Sequence, residues 1–318
     1  MNSGDSMPTR SSSQDTVEPN DAPRTLSVAV VAHSGKSLGG GLRELREKLT
    51  AAGIEDPLWY EVPKSKFAPK RVRRALEQGA NLLFVWGGDG MVQRCIDAAV
   101  GSEAVVAIIP AGTANLFASN LQIPRDIAEA IAVGLTGSRH RFDVGQINGE
   151  HFAVMAGAGL DALMIRDADG SLKDRFGRAA YIVTGAKNIA IPPVRTRVRL
   201  DGDTWFSGKS SCVLVGNVGK LFGNIAAFPA AEPDDGILEI GIVTAQGRWQ
   251  WSKALARTAV GKAPTSPFIE TARGRKLDVR FAKAIPYELD GGDRKKTRRL
   301  KIKVRPAAIT VCIPTVTD

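Results

Sequence analysis

The sequence predicts an α/β N-terminal domain with a parallel, doubly wound sheet, followed by a mainly antiparallel β-sandwich C-terminal domain. In the first half, continuously apolar runs alternate with helical patterns, which is typical of a parallel sheet covered on both faces. In the second half, short runs of alternating polarity are separated by Gly or Asp-Gly turns. A chain of 318 residues is also long enough for two domains with separate cores.

The domain boundaries follow from composition and from the change in rhythm. Residues 1–24 contain almost no large apolar side chains, so they cannot offset the entropy of ordering and are predicted to be a disordered tail. The α/β domain is expected at 25–137 and the sandwich at 138–318, whose last residues could return to the first domain.

Strand and helix patterns alternate in the first domain. Its strands are predicted at 26–32, 57–62, 81–86 and 104–110. The helices between and after them are predicted at 42–53, 68–79, 91–100 and 123–135.

The second domain opens with a predicted hairpin at the Asn148-Gly149 turn, the strongest short hairpin signal in the chain. Helical patterns follow at 159–168 and 173–190, and one further helix is predicted at 248–261. The remaining strand runs are predicted at 196–208, 210–218, 236–245, 268–274, 276–282, 284–292 and 299–305.

The charge balance favours anionic partners. Lys and Arg number 43 against 33 Asp and Glu, a formal charge of +10. Val194–Leu200 and Arg299–Arg305 alternate basic with mostly apolar residues, so at strand period each places its basic side chains on one face. Such a face is either an ordinary solvated surface or one that sits on an anionic membrane. No recognition-helix or aromatic RNA-binding signature indicates a nucleic-acid partner.

Cysteine spacing and hydropathy indicate a reducing compartment. Cys95, Cys212 and Cys312 are far apart in apolar surroundings, which is typical of free core thiols. No apolar stretch approaches the ~20 residues needed to span a bilayer, and the N-terminus lacks an apolar signal region. We therefore expect a cytoplasmic protein that reaches a membrane only peripherally.

Two small-residue loops follow neighbouring apolar strands. Gly87-Gly88-Asp89-Gly90 ends the third predicted strand, and Pro110-Ala111-Gly112-Thr113-Ala114-Asn115 ends the fourth. Ligands of an open parallel sheet bind beyond the carboxyl ends of its strands, where glycines and helix N-termini suit phosphate. The one carboxylate, Asp89, implies a bridging cation or a proton-transfer role. The pattern is neither a Walker loop nor GxGxxG.

These loops resemble the catalytic domain of diacylglycerol kinases, which is shared with sphingosine, ceramide and bacterial lipid kinases. The resemblance extends to Leu116-Phe117-Ala118 and covers roughly residues 26–315. Its other motifs are Phe142-Asp143-Val144-Gly145, Gly157-Ala158-Gly159-Leu160-Asp161-Ala162 and Asp234-Asp235-Gly236-Ile237-Leu238-Glu239.

The resemblance implies an ATP-dependent kinase that phosphorylates a lipid hydroxyl in the cleft between the two domains. Gly87, Gly88, Asp89, Gly90 and Met91 would cradle the nucleotide phosphates, with Thr113 and Asn115 in the same site. It also implies a structural Mg²⁺ held by the Asp235 carboxylate and by main-chain oxygens of Glu232 and Ile237. The alternative is that Asp235-Gly236 is only a hairpin turn.

The chain departs from the family pattern where many bacterial members carry Asp-Gly-Glu. Here the segment reads Asp290-Gly291-Gly292, so the usual glutamate base is absent, and Asp89 or Asp293 is the predicted catalytic base. Met91 stands where threonine commonly closes the phosphate loop. These departures leave open a relative with impaired catalysis, and a related NAD kinase is a second alternative.

Two further residue types have open interpretations. His33 ends the first strand beside the expected cleft and is a candidate for phosphate or ribose contact, whereas His140 and His151 are predicted to be surface residues. Trp249 and Trp251 lie on one predicted helix and would serve either core packing or a membrane interface. Oligomeric state and the identity of the lipid have no sequence signal.

Overall fold

The strands of both halves of the chain join one continuous mixed sheet. The computed structural model describes residues 26–36, 38–159, 192–221, 225–259 and 265–315. The predicted tail and the helical patterns between residues 160 and 190 lie outside the described residues.

The α/β domain has the predicted alternation of strands and helices. Its described elements are β1 (Val28–His33), α1 (Gly41–Ala51), β2 (Leu58–Val62), α2 (Ala68–Glu77), β3 (Leu82–Gly87), α3 (Asp89–Ala99), β4 (Val105–Pro110), α4 (Leu116–Asn120) and α5 (Ile127–Thr136). A short 3₁₀ turn at Ser65–Phe67 precedes α2.

The strands of this domain pair in the order β4-β3-β1-β2, and all of these pairings are parallel. Every residue of β3 and of β4 is buried, because helices cover both faces of the sheet. In the register of β3 and β4, Gly87 lies opposite Pro110. The two glycine-containing loops therefore leave the sheet side by side.

The second half is mainly antiparallel, as predicted. Its described elements are β5 (Ser138–Ile147), β6 (Glu150–Phe152), β7 (Met155–Ala158), β8 (Val194–Leu200), β9 (Asp203–Ser210), β10 (Cys212–Gly216), β11 (Lys220–Leu221), β12 (Ile225–Ala226), β13 (Leu238–Val243), α6 (Gly247–Ala259), β14 (Ile269–Gly274), β15 (Lys276–Leu289) and β16 (Gly292–Ile313). The predicted hairpin turn at Asn148-Gly149 is confirmed, since both residues have positive φ and β5 pairs with β6.

The long strand β16 connects the two halves. It pairs antiparallel with β15 and β5, and its end pairs parallel with β4 through Thr310 opposite Val105. The runs predicted at 276–282 and 284–292 form one strand, β15, whose register shifts between Arg280 and Tyr287. The C-terminal strand therefore fixes the sandwich against the α/β sheet.

The buried side chains form a large core in the α/β domain and a second one in the sandwich. Cys95, Cys212 and Cys312 are buried free thiols, which confirms the prediction. Burial raises the pKa of Cys95, and it raises the pKa of Cys312 to about 11. No helix in the described part of the chain is long and apolar enough to cross a bilayer.

Candidate active site

The loops after β3 and β4 form a single cradle. The Ala111 N–H donates to the Gly87 carbonyl at 2.9 Å, which continues the sheet ladder into the loops. A Cβ at Gly112 would lie 2.4 Å from the Gly88 Cα, and one at Gly88 would lie 3.0 Å from the Gly112 Cα. Glycine is required at both positions because the two backbones touch.

Asp89 joins the two sides of this cradle. It begins α3, with Gly88 at the N-cap, two residues earlier than the sequence pattern predicts. Its Oδ1 accepts a hydrogen bond from the Leu116 N–H, at the start of α4, at 2.5 Å. Burial raises the pKa of the Asp89 carboxyl, although main-chain N–H groups, chiefly those of Leu116 and Asn115, oppose this rise. The carboxylate is therefore a better proton acceptor near neutral pH than an exposed aspartate.

Asn115 shapes the second loop. It has a left-handed backbone with φ of 51°, and its side-chain amide bonds both the N–H and the carbonyl of Gly112 at 2.8 Å. Thr113 is exposed at the tip of the same loop. The Asn115 side chain therefore stabilises the loop through hydrogen bonds to Gly112. The Thr113 side chain is exposed, so a ligand can reach it.

Met91 is a packing residue of the first loop. Its side chain is 2% exposed, and a Cβ at Gly87 would come within 2.5 Å of the Met91 Cβ. The Met91 N–H already donates to the Gly88 carbonyl at 2.8 Å. The Met91 side chain therefore packs within the loop, and the place of Met91 in the phosphate cradle stays a prediction.

Further side chains at the rim of the cradle carry no strong sequence signal. A Cβ at Gly90 would lie 3.9 Å from the Ser65 Oγ, which places the 3₁₀ turn beside the phosphate loop. Arg125 donates to the Gly112 carbonyl at 3.1 Å and is otherwise exposed. The Arg125 side chain thus places a positive charge beside the second loop. Arg125 follows α4 in the chain, and its spacing from the loop does not predict this contact.

His33 lies at the end of β1, next to Gly87, as its position in the sequence predicts. Its Nδ1 accepts from the Gly35 N–H at 3.1 Å. Burial lowers the pKa of His33, and the neighbouring Lys36 lowers it further. The ring is therefore neutral at pH 7, so its contact with a nucleotide would be a hydrogen bond and not an ion pair.

The turn at Asp290 is the sandwich's contribution to the site. Asp290 is 5% exposed, and its carboxylate accepts from the N–H groups of Ala153, Val154 and Met155 at 2.8 to 2.9 Å. The pKa of Asp290 is raised to about 7 despite these three donors. Burial is the main cause, and the negative charge of Asp89 adds to it. The two aspartates therefore interact across the domain boundary.

Gly292 and Asp293 lie just past this turn. Asp293 is exposed at the start of β16, opposite Glu288 in the β15 register, and Gly292 is half-buried. A Cβ at Gly292 would meet Arg294 Nη1 at 2.9 Å. The role of Asp293 as a base stays a proposal. Asp290, which the sequence did not single out, is the residue of this turn whose pKa the charge of Asp89 raises.

Ion pairs hold the Asp290 hairpin against helix α3. Arg94 and Arg294 both contact the Glu150 carboxylate, at 3.0 and 2.8 Å. Asp97 accepts from the main-chain N–H of His151 at 2.8 Å and contacts its Nδ1 at 2.9 Å. Burial would raise the pKa of Asp97, but the hydrogen bonds from His151 outweigh it and lower the pKa.

The structure corrects one prediction here. His151 was predicted to be a surface residue, but it is 9% exposed and packs in the junction between the two domains. His140 is half-exposed and contacts Asp234 at 2.8 Å.

The residues predicted to hold a structural Mg²⁺ lie on the segment before β13. One oxygen of Asp235 accepts from the Ile237 N–H at 2.9 Å, and the other contacts the Arg273 guanidinium at 2.5 Å. Glu232 is exposed. Within the described ranges, no group of three or more His, Cys, Asp or Glu side chains is arranged to hold a metal ion. This donor set does not fit a divalent cation, because a guanidinium already occupies the carboxylate.

Solved structures of two kinases share this fold. A solved diacylglycerol kinase from Bacillus anthracis superimposes with a TM-score of 0.70 and 23% identity, over 90% of this chain and 96% of that one. An NAD kinase from Archaeoglobus fulgidus in complex with ATP superimposes with a TM-score of 0.51 and 13% identity, over 90% and 93%. At such identities these likenesses show the fold alone.

Sequence comparisons identify the family. The diacylglycerol kinase catalytic domain model matches residues 27–147, and the YegS C-terminal NAD kinase β-sandwich-like domain model matches residues 154–313. The protein named "Probable lipid kinase YegS-like" of Pseudomonas aeruginosa is 31% identical over 78% of this chain and 81% of its own length. The diacylglycerol kinase of Bacillus subtilis is 24% identical, over 79% and 83%. The chain belongs to this lipid kinase family, and the predicted kinase class is confirmed.

Proposed function

We propose that this protein is an ATP-dependent lipid kinase whose acceptor is the hydroxyl of diacylglycerol or of a similar lipid. The observation that carries the proposal is the single cradle formed where Gly88 and Gly112 touch, with Asp89 linking both loops. Its glycines and helix N-termini suit the phosphates of a nucleotide, which would bind as its magnesium complex. The Asp290 turn adds a second acidic group on the sandwich side of the cleft.

In the proposed reaction, the lipid hydroxyl oxygen forms a bond to the γ-phosphorus. The bond from that phosphorus to the β,γ-bridging oxygen breaks, and its electron pair leaves with ADP. The hydroxyl proton passes to a carboxylate, and Asp89 is the best-placed acceptor because its pKa is raised by burial. Main-chain N–H groups of the loops and the Arg125 guanidinium would stabilise the charge on the transferred group.

The assay that tests this proposal offers γ-labelled ATP with a panel of lipids and with NAD. We expect label in diacylglycerol or a related lipid, and we expect Asp89→Asn to reduce transfer by roughly a thousandfold without changing the circular dichroism spectrum. Label on NAD would favour the NAD kinase alternative. Nucleotide binding without label on any acceptor would favour a relative with impaired catalysis, and either result overturns the proposal.

We further propose that this protein docks on an anionic membrane through the outer face of β9, β8, β15 and β16. Arg197, Arg280 and Arg299 form one cross-strand row of this face, and Arg199 and Lys301 belong to the next. These five side chains are exposed, whereas the intervening strand residues Thr196, Val198, Val279, Leu300 and Ile302 are buried. Asp278 lies in the second row and pairs with Arg299 at 2.7 Å. Each basic residue near such a surface contributes on the order of 1 kcal/mol.

Sedimentation with vesicles tests this docking face. We expect binding to phosphatidylglycerol-containing vesicles but not to pure phosphatidylcholine, and we expect Arg197→Glu with Lys301→Glu to weaken it at least tenfold. The matched control is Arg73→Glu with Arg74→Glu on helix α2, which also reverses two exposed charges. Equal loss in both variants would show that net charge, and not this face, drives binding.

A further inference from the structure

The segment between β12 and β13 concentrates negative charge. Residues 229–237, here called the acidic loop, carry Glu232, Asp234 and Asp235 and pack against Asp143, which is 2% exposed. Asp234 contacts His140, and Glu232 is exposed. The Asp143 carboxylate accepts from the Gly236 N–H at 2.6 Å, and its own N–H donates to the Pro233 carbonyl at 2.7 Å. Several carboxylates therefore lie close together in a half-buried place, which is costly unless a cation accompanies them.

A residue of the strand that follows the acidic loop adds a further carboxylate to this group. Glu239, the second residue of β13, is 7% exposed. Burial raises the pKa values of both Asp143 and Glu239, and the nearby negative charge of Asp235 raises them further. Asp143, Asp235 and Glu239 thus repel one another within a single cluster.

Arg273 lies beside two carboxylates of this cluster. It lies directly opposite Glu239 in the register of β13 and β14. Its Nη2 contacts Asp235 Oδ2 at 2.5 Å, and its Nε contacts Glu239 Oε1 at 2.7 Å. Nη2 also lies 3.5 Å from the Ala230 carbonyl, at the other end of the acidic loop. Two carboxylates and a main-chain oxygen thus surround the guanidinium.

Carboxylates and main-chain carbonyls are also the ligands of a hard divalent cation. A metal ion bound to Asp235 would stand beside a positive charge that already contacts that carboxylate, so the two cations would compete. We propose that the Arg273 guanidinium is the built-in cation of the acidic loop and takes the place that a structural divalent metal ion would otherwise hold. Unlike a bound metal, the guanidinium is always present and always charged.

Successive hydrogen bonds connect Asp143, which packs against the acidic loop, to the Asp290 turn. The Asn217 side-chain amide donates to the main-chain carbonyls of Asp143 and Ala153, at 2.9 and 3.0 Å. The Ala153 N–H in turn donates to the Asp290 carboxylate at 2.8 Å. Arg273 therefore acts as a positioning residue that holds the acidic loop, and through Asp143 it supports the segment that binds Asp290.

Thermal unfolding with and without divalent cations tests the proposal. The melting temperature of the unmodified protein should be the same in EDTA as in excess Mg²⁺ or Ca²⁺. Arg273→Gln should lower it by roughly 5 °C in EDTA, because Asp235 and Glu239 lose their cation. Divalent cations should restore most of that loss, whereas NaCl of equal ionic strength should not.

Two further variants keep the test decisive. Adding Asp235→Asn to Arg273→Gln should recover part of the stability in EDTA and abolish the response to divalent cations, since it removes one of the two carboxylates that Arg273 contacts and the one that would hold a metal ion. Arg275→Gln, which removes an exposed arginine just past the same strand, should leave the melting temperature and its metal response unchanged. The proposal is overturned if the unmodified protein is itself stabilised by Mg²⁺, or if Arg273→Gln shows no divalent response.

Discussion

The phosphate cradle and the Asp290 turn both hold a carboxylate among main-chain N–H groups, half-buried at Asp89 and buried at Asp290, but they are assembled over different distances. The cradle joins loops that are 27 residues apart at Asp89 and Leu116, on neighbouring strands of one sheet. The Asp290 turn depends on partners that are 135 to 137 residues away. A locally encoded site can be read from its motif, whereas a site closed by distant segments cannot.

The two regions also differ in what sets their geometry. Close backbone contact between glycines shapes the cradle, so it tolerates no side chain at Gly88 or Gly112. At the turn, φ is positive at Asp290 and Gly291, as a two-residue hairpin requires, and the three N–H donors fix the carboxylate. The first region is therefore sensitive to added volume and the second to the loss of an acceptor oxygen.

The largest effect is expected from Gly112→Ala. The new Cβ would lie 2.4 Å from the Gly88 Cα and 2.7 Å from Asn115 Oδ1, so the loops must separate. We expect kcat/KM for ATP to fall roughly a hundredfold, which corresponds to about 2.7 kcal/mol. Gly90→Ala is the comparison within the same predicted cradle: its Cβ would have no protein neighbour nearer than 3.9 Å, so it adds a methyl group without separating the loops. If the two variants lose activity equally, close contact of the loops is not what forms the site.

A smaller effect, on the free energy of unfolding and dependent on pH, is expected from Asp290→Asn. The amide leaves part of the N–H cluster without an acceptor, which costs about 1–3 kcal/mol of unfolding free energy. The pKa of Asp290 is raised from 3.8 to about 7 in the folded state, so the folded state binds the extra proton between these values. The contribution of Asp290 to stability therefore falls as pH rises from 4 to 7.

The unmodified protein should accordingly exceed the Asp290→Asn variant in stability by more at pH 5 than at pH 8, as measured by urea unfolding. Asp293→Asn is the control on the same hairpin, since Asp293 is exposed and should leave stability unchanged at both values. A difference that does not vary with pH would contradict the raised pKa. Loss of turnover in Asp293→Asn, with stability intact, would support Asp293 as the base.

The smallest effect is expected from Gly292→Glu, which restores the glutamate that many family members carry. The φ of Gly292 lies outside the left-handed region, so a side chain is compatible with the backbone there. The new Cβ would crowd Arg294 Nη1 at 2.9 Å, and that guanidinium would pair with the added carboxylate. We expect kcat to rise a few-fold if a missing base limits the rate, and no rise with Gly292→Gln. Unchanged kcat in both variants would show that Asp89 or Asp293 already suffices.

The positions of several site residues could be predicted, but their contacts could not. The motif located Asn115 and Met91, and the structure adds that Asn115 hydrogen-bonds to Gly112 and that Met91 packs against Gly87. A motif marks which residues a loop needs without separating those that bind a ligand from those that shape the backbone. Arg125 was missed because its contact with Gly112 arises from a turn beyond α4.

Local sequence patterns were enough to predict the parallel α/β domain, the antiparallel second half, the two glycine loops and the Asn148-Gly149 hairpin, because each depends on local polarity or turn chemistry. Three contacts are visible only in the folded chain: β16 pairs with β4, Arg273 lies opposite Glu239, and Asp290 binds residues 153–155. Those contacts join segments far apart in the chain, and their free energy depends on register and burial, which no local pattern specifies.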